Sequence, residues 1–516
     1  MAIILFLMSF GMLADGRLAA AKKAVSLKKT KVSMEVGDSY KLVVKNAPKK
    51  SVITYKSGKK SVATVSKKGV IKAKNTGSCK ITVRVWKKTG KKKSLVKKLT
   101  CKVTVYKMIG PEPTSSPFPT PVVSQKFVGD KKAALSDTFV DQVSDFSLNL
   151  FKASCEEKVK IGKNTLVSPQ SVLTDVMMAA GGAETSTKAE MEKTMCGTVG
   201  FTDFRKSLSD LNARLLYSDP VRFYIANSIW ILDDAERLQV KPEFLEDGEK
   251  WYNATSRVLP FDQAMVKAVN DWVKENTFGM IPELLKEPPK EDDVMHLINA
   301  LAFEASWAEQ YIDFQVTPDA TFTNAKGEKK KVNMLNETIR YYLHDDKAIG
   351  FEKYYQGYDY KLVTILPNEG VSVSDYLNTM DGASFRDYLK SAVSGYMVHT
   401  SMPEFTYDFD TSLNDSLKAM GIREAFSADA DFSGMADTRT GKLFIGNVTH
   451  KTHIELDRKG TKAAAVTDIG MADGTSVEPD PQKEITIRLD RPFIYAIVHN
   501  ETGIPVFIGT ANDVGE

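Results

Sequence analysis

Between Ser39 and Val105 apolar and polar residues alternate in short runs. Ser39-Tyr40-Lys41-Leu42-Val43-Val44, Lys80-Ile81-Thr82-Val83-Arg84-Val85 and Leu99-Thr100-Cys101-Lys102-Val103-Thr104-Val105 put β-branched or aromatic residues at every second position. That is the period of a strand with one buried face. Turn signals at Gly37-Asp38, Asn46-Ala47-Pro48, Ser57-Gly58 and Asn75-Thr76-Gly77 cut the segment at sandwich-like intervals. Residues 25–107 are therefore expected to form a small all-β sandwich.

The pattern then breaks. Gly110-Pro111-Glu112-Pro113-Thr114-Ser115-Ser116-Pro117-Phe118-Pro119-Thr120-Pro121 has no apolar period. Its prolines predict an extended, semi-rigid linker over 108–126. Beyond it, helical and strand periods mix. Asp145-Phe146-Ser147-Leu148-Asn149-Leu150-Phe151 predicts an amphipathic helix, and Val172 to Ala180 a buried one. Tyr360 to Pro367, Ile485 to Leu489 and Phe493 to Val498 predict core strands. No second linker and no internal repeat interrupts this part, so 127–516 is expected to be one large α+β domain.

One late stretch has an odd pattern. In Gly460-Thr461-Lys462-Ala463-Ala464-Ala465-Val466-Thr467, a strand reading turns Thr461, Ala463, Ala465 and Thr467 to one face. That face is small and uncharged. Ala472 to Pro481 then reads as an exposed loop. An ordinary edge strand followed by a turn accounts for this pattern. So does a segment that can be both loop and buried strand.

Charge divides the chain as the patterning does. Residues 22–107 hold 27 Lys and Arg against two acids, Glu35 and Asp38. The net charge of +5 therefore hides about +25 on the sandwich and about −20 on the rest. At the N-terminus, an apolar core from Ala2 to Leu13 precedes Leu18-Ala19-Ala20-Ala21, small residues suited to signal-peptidase cleavage. No Lys or Arg precedes that core. Residues 1–21 are read as a signal peptide, and the protein as secreted, with attachment to a cell surface compatible with the basic sandwich. Of the four cysteines, Cys79 and Cys101 are equidistant from Gly90. A hairpin there makes a disulfide and two free buried thiols both compatible with the sequence.

No enzyme motif appears. The chain has no Gly-x-Ser-x-Gly elbow, no phosphate-binding glycine loop and no His-Glu-x-x-His. Asp429 to Gly434 has the flavour of a calcium loop, but Thr440 stands where a bidentate Glu belongs. The six histidines are expected to be structural, and no metal or cofactor is expected.

Two resemblances add to this reading. Tyr55-Lys56-Ser57-Gly58, Ser61 to Ser66, Gly69-Val70-Ile71-Lys72-Ala73 and Gly77 to Val83 resemble the bacterial immunoglobulin-like group 2 module. That implies an Ig-like sandwich, often adhesive, with no catalytic residues. In the larger part, Asn164 to Ser171, Asn270 to Val273, Ile298 to Phe303 with Trp307, and Met402-Pro403-Glu404-Phe405 resemble serpin signatures. So do Ala430 to Gly434, Val448 to Lys451, Asp490 to Phe493, and His499 to Gly503 with Phe507 to Gly509. They run in the family's order, and this part is identified as a member of the serpins.

The resemblance implies a fold of helices and three β-sheets with an exposed reactive loop. It also implies a suicide-substrate inhibitor, not an enzyme. A protease cleaves the loop and is held as an acyl-enzyme, and the loop inserts into the main sheet as a new strand. Gly460, Thr461, Ala463, Ala464, Ala465 and Thr467 fall on the family's hinge, and their small side chains favour insertion. Counting from Gly460 puts the reactive bond between Gly474 and Thr475, to within about three residues. Ser168, Ser171, Asn299 and His450 match the shutter beneath the opening sheet, and Trp307 the breach at its head. Two departures stand out: Arg458 replaces the Glu usual two residues before the hinge glycine, and Glu304-Ala305-Ser306 replaces a basic run before Trp307.

The implied partner is a serine protease of elastase or subtilisin type, because no Lys or Arg lies between Lys462 and Lys483. Cysteine proteases form a second target class. The basic module suits an anionic polysaccharide or cell-wall polymer, and nucleic acid is not expected. A monomer is expected. The competing reading is a non-inhibitory serpin-fold binding protein, or an adhesin acting through the basic module.

Overall fold

The structure, a computed structural model, describes residues 2–5, 24–37, 39–49, 51–89, 92–106, 128–216, 221–277, 279–439, 441–461 and 483–515. The linker and most of residues 1–21 lie outside them.

The basic segment folds as β-sheets around one apolar core. A four-stranded sheet runs in the order Lys31–Glu35, Lys92–Tyr106, Gly77–Thr89, Ser51–Ser57. A three-stranded sheet of Ser39–Lys41, Val70–Ala73 and Ala63–Val65 joins it, with a short pair Ser26–Leu27 and Val44–Lys45. Inward positions supply Val32, Met34, Ile71, Ile81, Val83 and Val103 to the core. The alternation legible in the sequence is this inside-outside period.

The cysteines do not face each other as the symmetric count suggested. Thr89 pairs with Lys92, one off the symmetric count, and an irregularity between Leu95 and Lys97 shifts the register by one more, so Cys101 lies opposite Ile81 and Cys79 opposite Val103. In this structure both are free, buried thiols. Burial pushes the Cys101 thiol up to about 11, with the neighbouring Cys79 adding to it.

In the larger part, a main sheet runs Phe405–Ser412, Thr449–Asp457, a divided slot, Met295–Ser306, Arg222–Leu232, Ala254–Leu259. Met295–Ser306 shows why it is central. Its odd positions Leu297, Leu301, Phe303 and Ala305 enter the main core. Its even positions Ile298, Ala300 and Ala302 pack under helix Gln263–Asn276, beside Trp230, Val269, Trp272 and Val273. A strand covered on both faces reads as a continuous apolar run. Helix Pro169–Ala180 packs on the opposite face, with every one of its residues buried.

The second and third sheets of the expectation run into each other. Ala348–Gly350 pairs with both Lys329–His344 and Tyr360–Pro367, giving a ten-stranded sheet. Its buried end holds Tyr360–Pro367, Phe493–His499, Pro505–Ala511 and Thr165–Val167.

Candidate functional site

The site is the slot in the main sheet between Met295–Ser306 and Thr449–Asp457. At its head Gly460–Thr461 pairs on both sides: Gly460 with Ser306 and Asp457, Thr461 with Ala305 and Leu456. A Cβ on Gly460 would come within 2.1 Å of the Ala305 carbonyl oxygen, so only glycine fits this approach. Thr461 is buried, and its hydroxyl shares a 2.6 Å hydrogen bond with the hydroxyl of Tyr355.

Lower in the slot Ala2–Leu5 forms a strand antiparallel to both neighbours. Ala2 lies opposite Leu301 and Thr452, Ile3 opposite Ala300 and Lys451, and Ile4 opposite His450. Between the two fillers no described strand spans Ala302–Glu304 and His453–Glu455. A small cavity sits there, lined by Phe303, Ile454, Thr461 and Phe507 among others.

Trp307 closes the head. Its indole N–H donates to the Asp457 carbonyl at 2.9 Å, and its ring stacks on Tyr355 with centroids 4.5 Å apart. Lys353, also buried, sits 4.2 Å from the Tyr311 ring centroid and pairs with Glu337 at 2.7 Å. Such a buried pair needs both partners, because either alone would leave an uncompensated charge.

Arg458 is explained by what it touches. Its guanidinium meets Glu404 at 3.4 Å and Asp313 at 3.0 Å, and its backbone N–H donates to Glu404 at 3.1 Å. The charge at this position is reversed, and acids receive it. Likewise Glu304 of the departing Glu304-Ala305-Ser306 run pairs with Arg222 at 3.2 Å.

Under the slot the four predicted polar residues fall into two separate contacts. Ser171 donates to Asn299, whose amide donates to Asn227 at 2.7 Å; Asn227 in turn donates to the Tyr252 carbonyl at 2.6 Å. The Ser168 backbone N–H donates to His450 Nε2 at 3.1 Å, which fixes that nitrogen as the acceptor of a neutral imidazole. Burial pushes His450 down to about 3. Pro169 starts the helix where its missing N–H costs nothing, and Ser168 precedes it as the N-cap residue.

Sequence reasoning did not pick out Asp175, one turn beyond Ser171 on the helix. It is 4% exposed, and its carboxyl makes no well-formed hydrogen bond among the described residues, only an approach to the Asn299 backbone. Burial raises it well above the usual carboxylate range, against a smaller lowering by the Asn299 backbone. The Ser171/Asp175 spacing of four was the signal available. Asn227, set in a run of buried residues, was the other. The remaining predicted residues, Ala463, Ala464, Ala465, Thr467, Gly474 and Thr475, lie outside the described residues.

Residues 141–514 match the family model "Serpin (serine protease inhibitor)". The chain belongs to the serpin family. A second family model, "Bacterial Ig-like domain (group 2)", matches residues 21–96. The leukocyte elastase inhibitor of Sus scrofa is 30% identical to this serpin over 383 residues, covering 70% of this chain and 96% of the relative. Among solved structures, the thermophilic serpin tengpin in its native state is 36% identical, with a TM-score of 0.68, over 74% of this chain and 96% of that one. Tengpin in its latent state matches at 32% identity and a TM-score of 0.64, over 74% and 99%. The serpin part thus has inhibitory relatives, and its slot is the feature whose chemistry has to be explained.

Proposed function

We propose that this serpin is a secreted suicide-substrate inhibitor of serine endopeptidases with small primary pockets, of the elastase or subtilisin kind. The observation that carries the reading is the double pairing of Gly460–Thr461 at the head of the slot. Gly460 and Thr461 already lie between the two strands that would receive the rest of the hinge. Continued without a break in register, Ala463 meets Phe303 and Ile454, Ala465 meets Leu301 and Thr452, and Thr467 meets Asn299 and His450. The inward residues of the hinge are then small or hydroxylated over an apolar core and a polar shutter. Each added residue supplies ladder hydrogen bonds worth about 1 kcal/mol net apiece. No charge on that face has to be desolvated, a step that would cost several kcal/mol.

Ala2–Leu5 supports the same reading from another side. It holds the rungs assigned here to Ala465 through Asp468, in the same antiparallel sense. The lower slot therefore takes a strand paired to both neighbours. Removal of residues 1–21 on export would vacate those rungs.

The basic Ig-like module, in this reading, holds the inhibitor on an anionic polysaccharide or wall polymer. The test of inhibition is direct. Mixed with a subtilisin- or elastase-type protease, the protein should give a covalent complex that survives a denaturing gel. The released peptide should begin within about three residues of Thr475. Complete cleavage with no complex, across a panel of such proteases and of cysteine proteases, would contradict it.

A further inference from the structure

The outward face of the four-stranded sheet concentrates the module's charge in an ordered way. Residues 54 and 56, 80 to 86, 98 to 104 and 31 to 33 put alternate side chains on this face, opposite to core residues such as Ile81, Val83, Val103 and Val32. It carries Lys31, Lys56, Lys80, Arg84, Lys98 and Lys102, all six exposed. The register sets like charges side by side. Lys102 lies opposite Lys31 on one neighbour and Lys80 on the other, and Lys98 lies opposite Arg84. Like charges in direct opposition destabilise a sheet. Among the described residues none of the six makes an ion pair.

We propose that this face binds an extended acidic polysaccharide along the strands. Neighbouring strands lie about 4.8 Å apart and same-face residues about 6.8 Å apart, so the cations form a flat grid instead of a single point site. A flexible chain with one anionic group per sugar or per disaccharide can meet such a grid in several registers. Thr82 and Thr100 stand between the cations and offer hydroxyls to sugar hydroxyls or carboxylates. Trp86 shares the face, its indole N–H donating to the Thr54 hydroxyl at 3.1 Å. One aromatic suits a pyranose ring, whereas single-stranded nucleic acid is held by successive aromatic platforms. Lysine, a hydrated point charge, predominates over the forked guanidinium that favours bidentate phosphate recognition.

The inference rests on the tethering part of the proposed function, and the test separates the two. Three full-length proteins are compared: the unmodified chain, a face triple (Lys80→Glu, Lys98→Glu, Lys102→Glu) and a control triple (Lys67→Glu, Lys72→Glu, Lys74→Glu). The control changes net charge equally from positions outside this face. Binding to polygalacturonate, to heparin and to a double-stranded DNA of matched charge is measured at low and at physiological salt. The face triple should lose about tenfold or more in polysaccharide affinity at low salt, the control less than about threefold. Equal losses in both triples, or none in the face triple, would overturn the assignment of the face. DNA bound more tightly than either polysaccharide would overturn the occupant. An unmodified chain that binds no polyanion would overturn the tethering reading itself. A triple with Gln at positions 80, 98 and 102 gives the same comparison if charge reversal impairs folding.

Discussion

Thr461 shows how little tolerance the head of the slot has. It is buried, and it is the first inward residue of the hinge, hydrogen-bonded to Tyr355. Thr461→Arg would place an unpaired guanidinium beside Trp307 and Tyr355, at a cost of several kcal/mol once buried. Insertion should slow, and the protein should turn from inhibitor to substrate, read as cleaved chain replacing covalent complex on a gel. Asp175 is a second residue-scale case. An unpaired buried carboxyl costs about 1–3 kcal/mol, so Asp175→Ala should raise the resistance of the native state to urea. Unchanged or lower resistance would show that the carboxyl has a partner. Histidines set the acid limit. Burial holds His296 and His450 down at about 3 and His499 at about 4. Their folded values lie below the unfolded value near 6.5, so the unfolded chain takes up protons first as pH falls. The stability they permit is present above about pH 6.5 and is lost toward pH 4. Each contributes about 1.4 kcal/mol per pH unit in that window. Urea midpoints at pH 7.5 and 5.5 check this, and His450→Gln should flatten the fall.

At the scale of elements, two segments compete for one set of rungs. Ala2–Leu5 occupies positions opposite Thr452 and His450 that the inserting hinge would need. A chain beginning at residue 22 should therefore form covalent complex with a larger share of its molecules than the full-length chain, read by densitometry after reaction with one protease. Equal partition would mean that the N-terminal strand yields without cost. The elements themselves were largely legible. Tyr360 to Pro367 was predicted with the bounds observed, and the buried helix beginning at Val172 lies inside Pro169–Ala180. Those segments are buried on all sides, and their apolar runs leave no ambiguity. What sequence could not show was register. The pairing of Thr89 with Lys92 moved Cys101 off Cys79 by one position and an irregularity near Val96 by a second, and no periodicity reveals either. The family resemblance singled out Ser168, Ser171, Asn299, His450 and Trp307, which lie along the slot in the structure. The partners at the site were not singled out, because Asn227, Tyr355, Glu404 and Asp313 reach it from distant segments and carry no local signal.

At the scale of the molecule, charge and fold separate two tasks. A module of about +25 precedes a serpin part of about −20, and the reversed charge at Arg458 is met inside the serpin part by its own acids. One claim is central: with residues 1–21 removed, the native sheet has an unfilled rung set, and cleavage of the loop fills it. About a dozen new ladder bonds at about 1 kcal/mol each would leave the cleaved protein far more stable than the intact one. The most direct test is thermal unfolding before and after limited cleavage of the loop by a protease the protein does not trap. The account predicts a midpoint raised by roughly ten degrees or more in the cleaved form. An unchanged midpoint would mean a passive loop, and would contradict it.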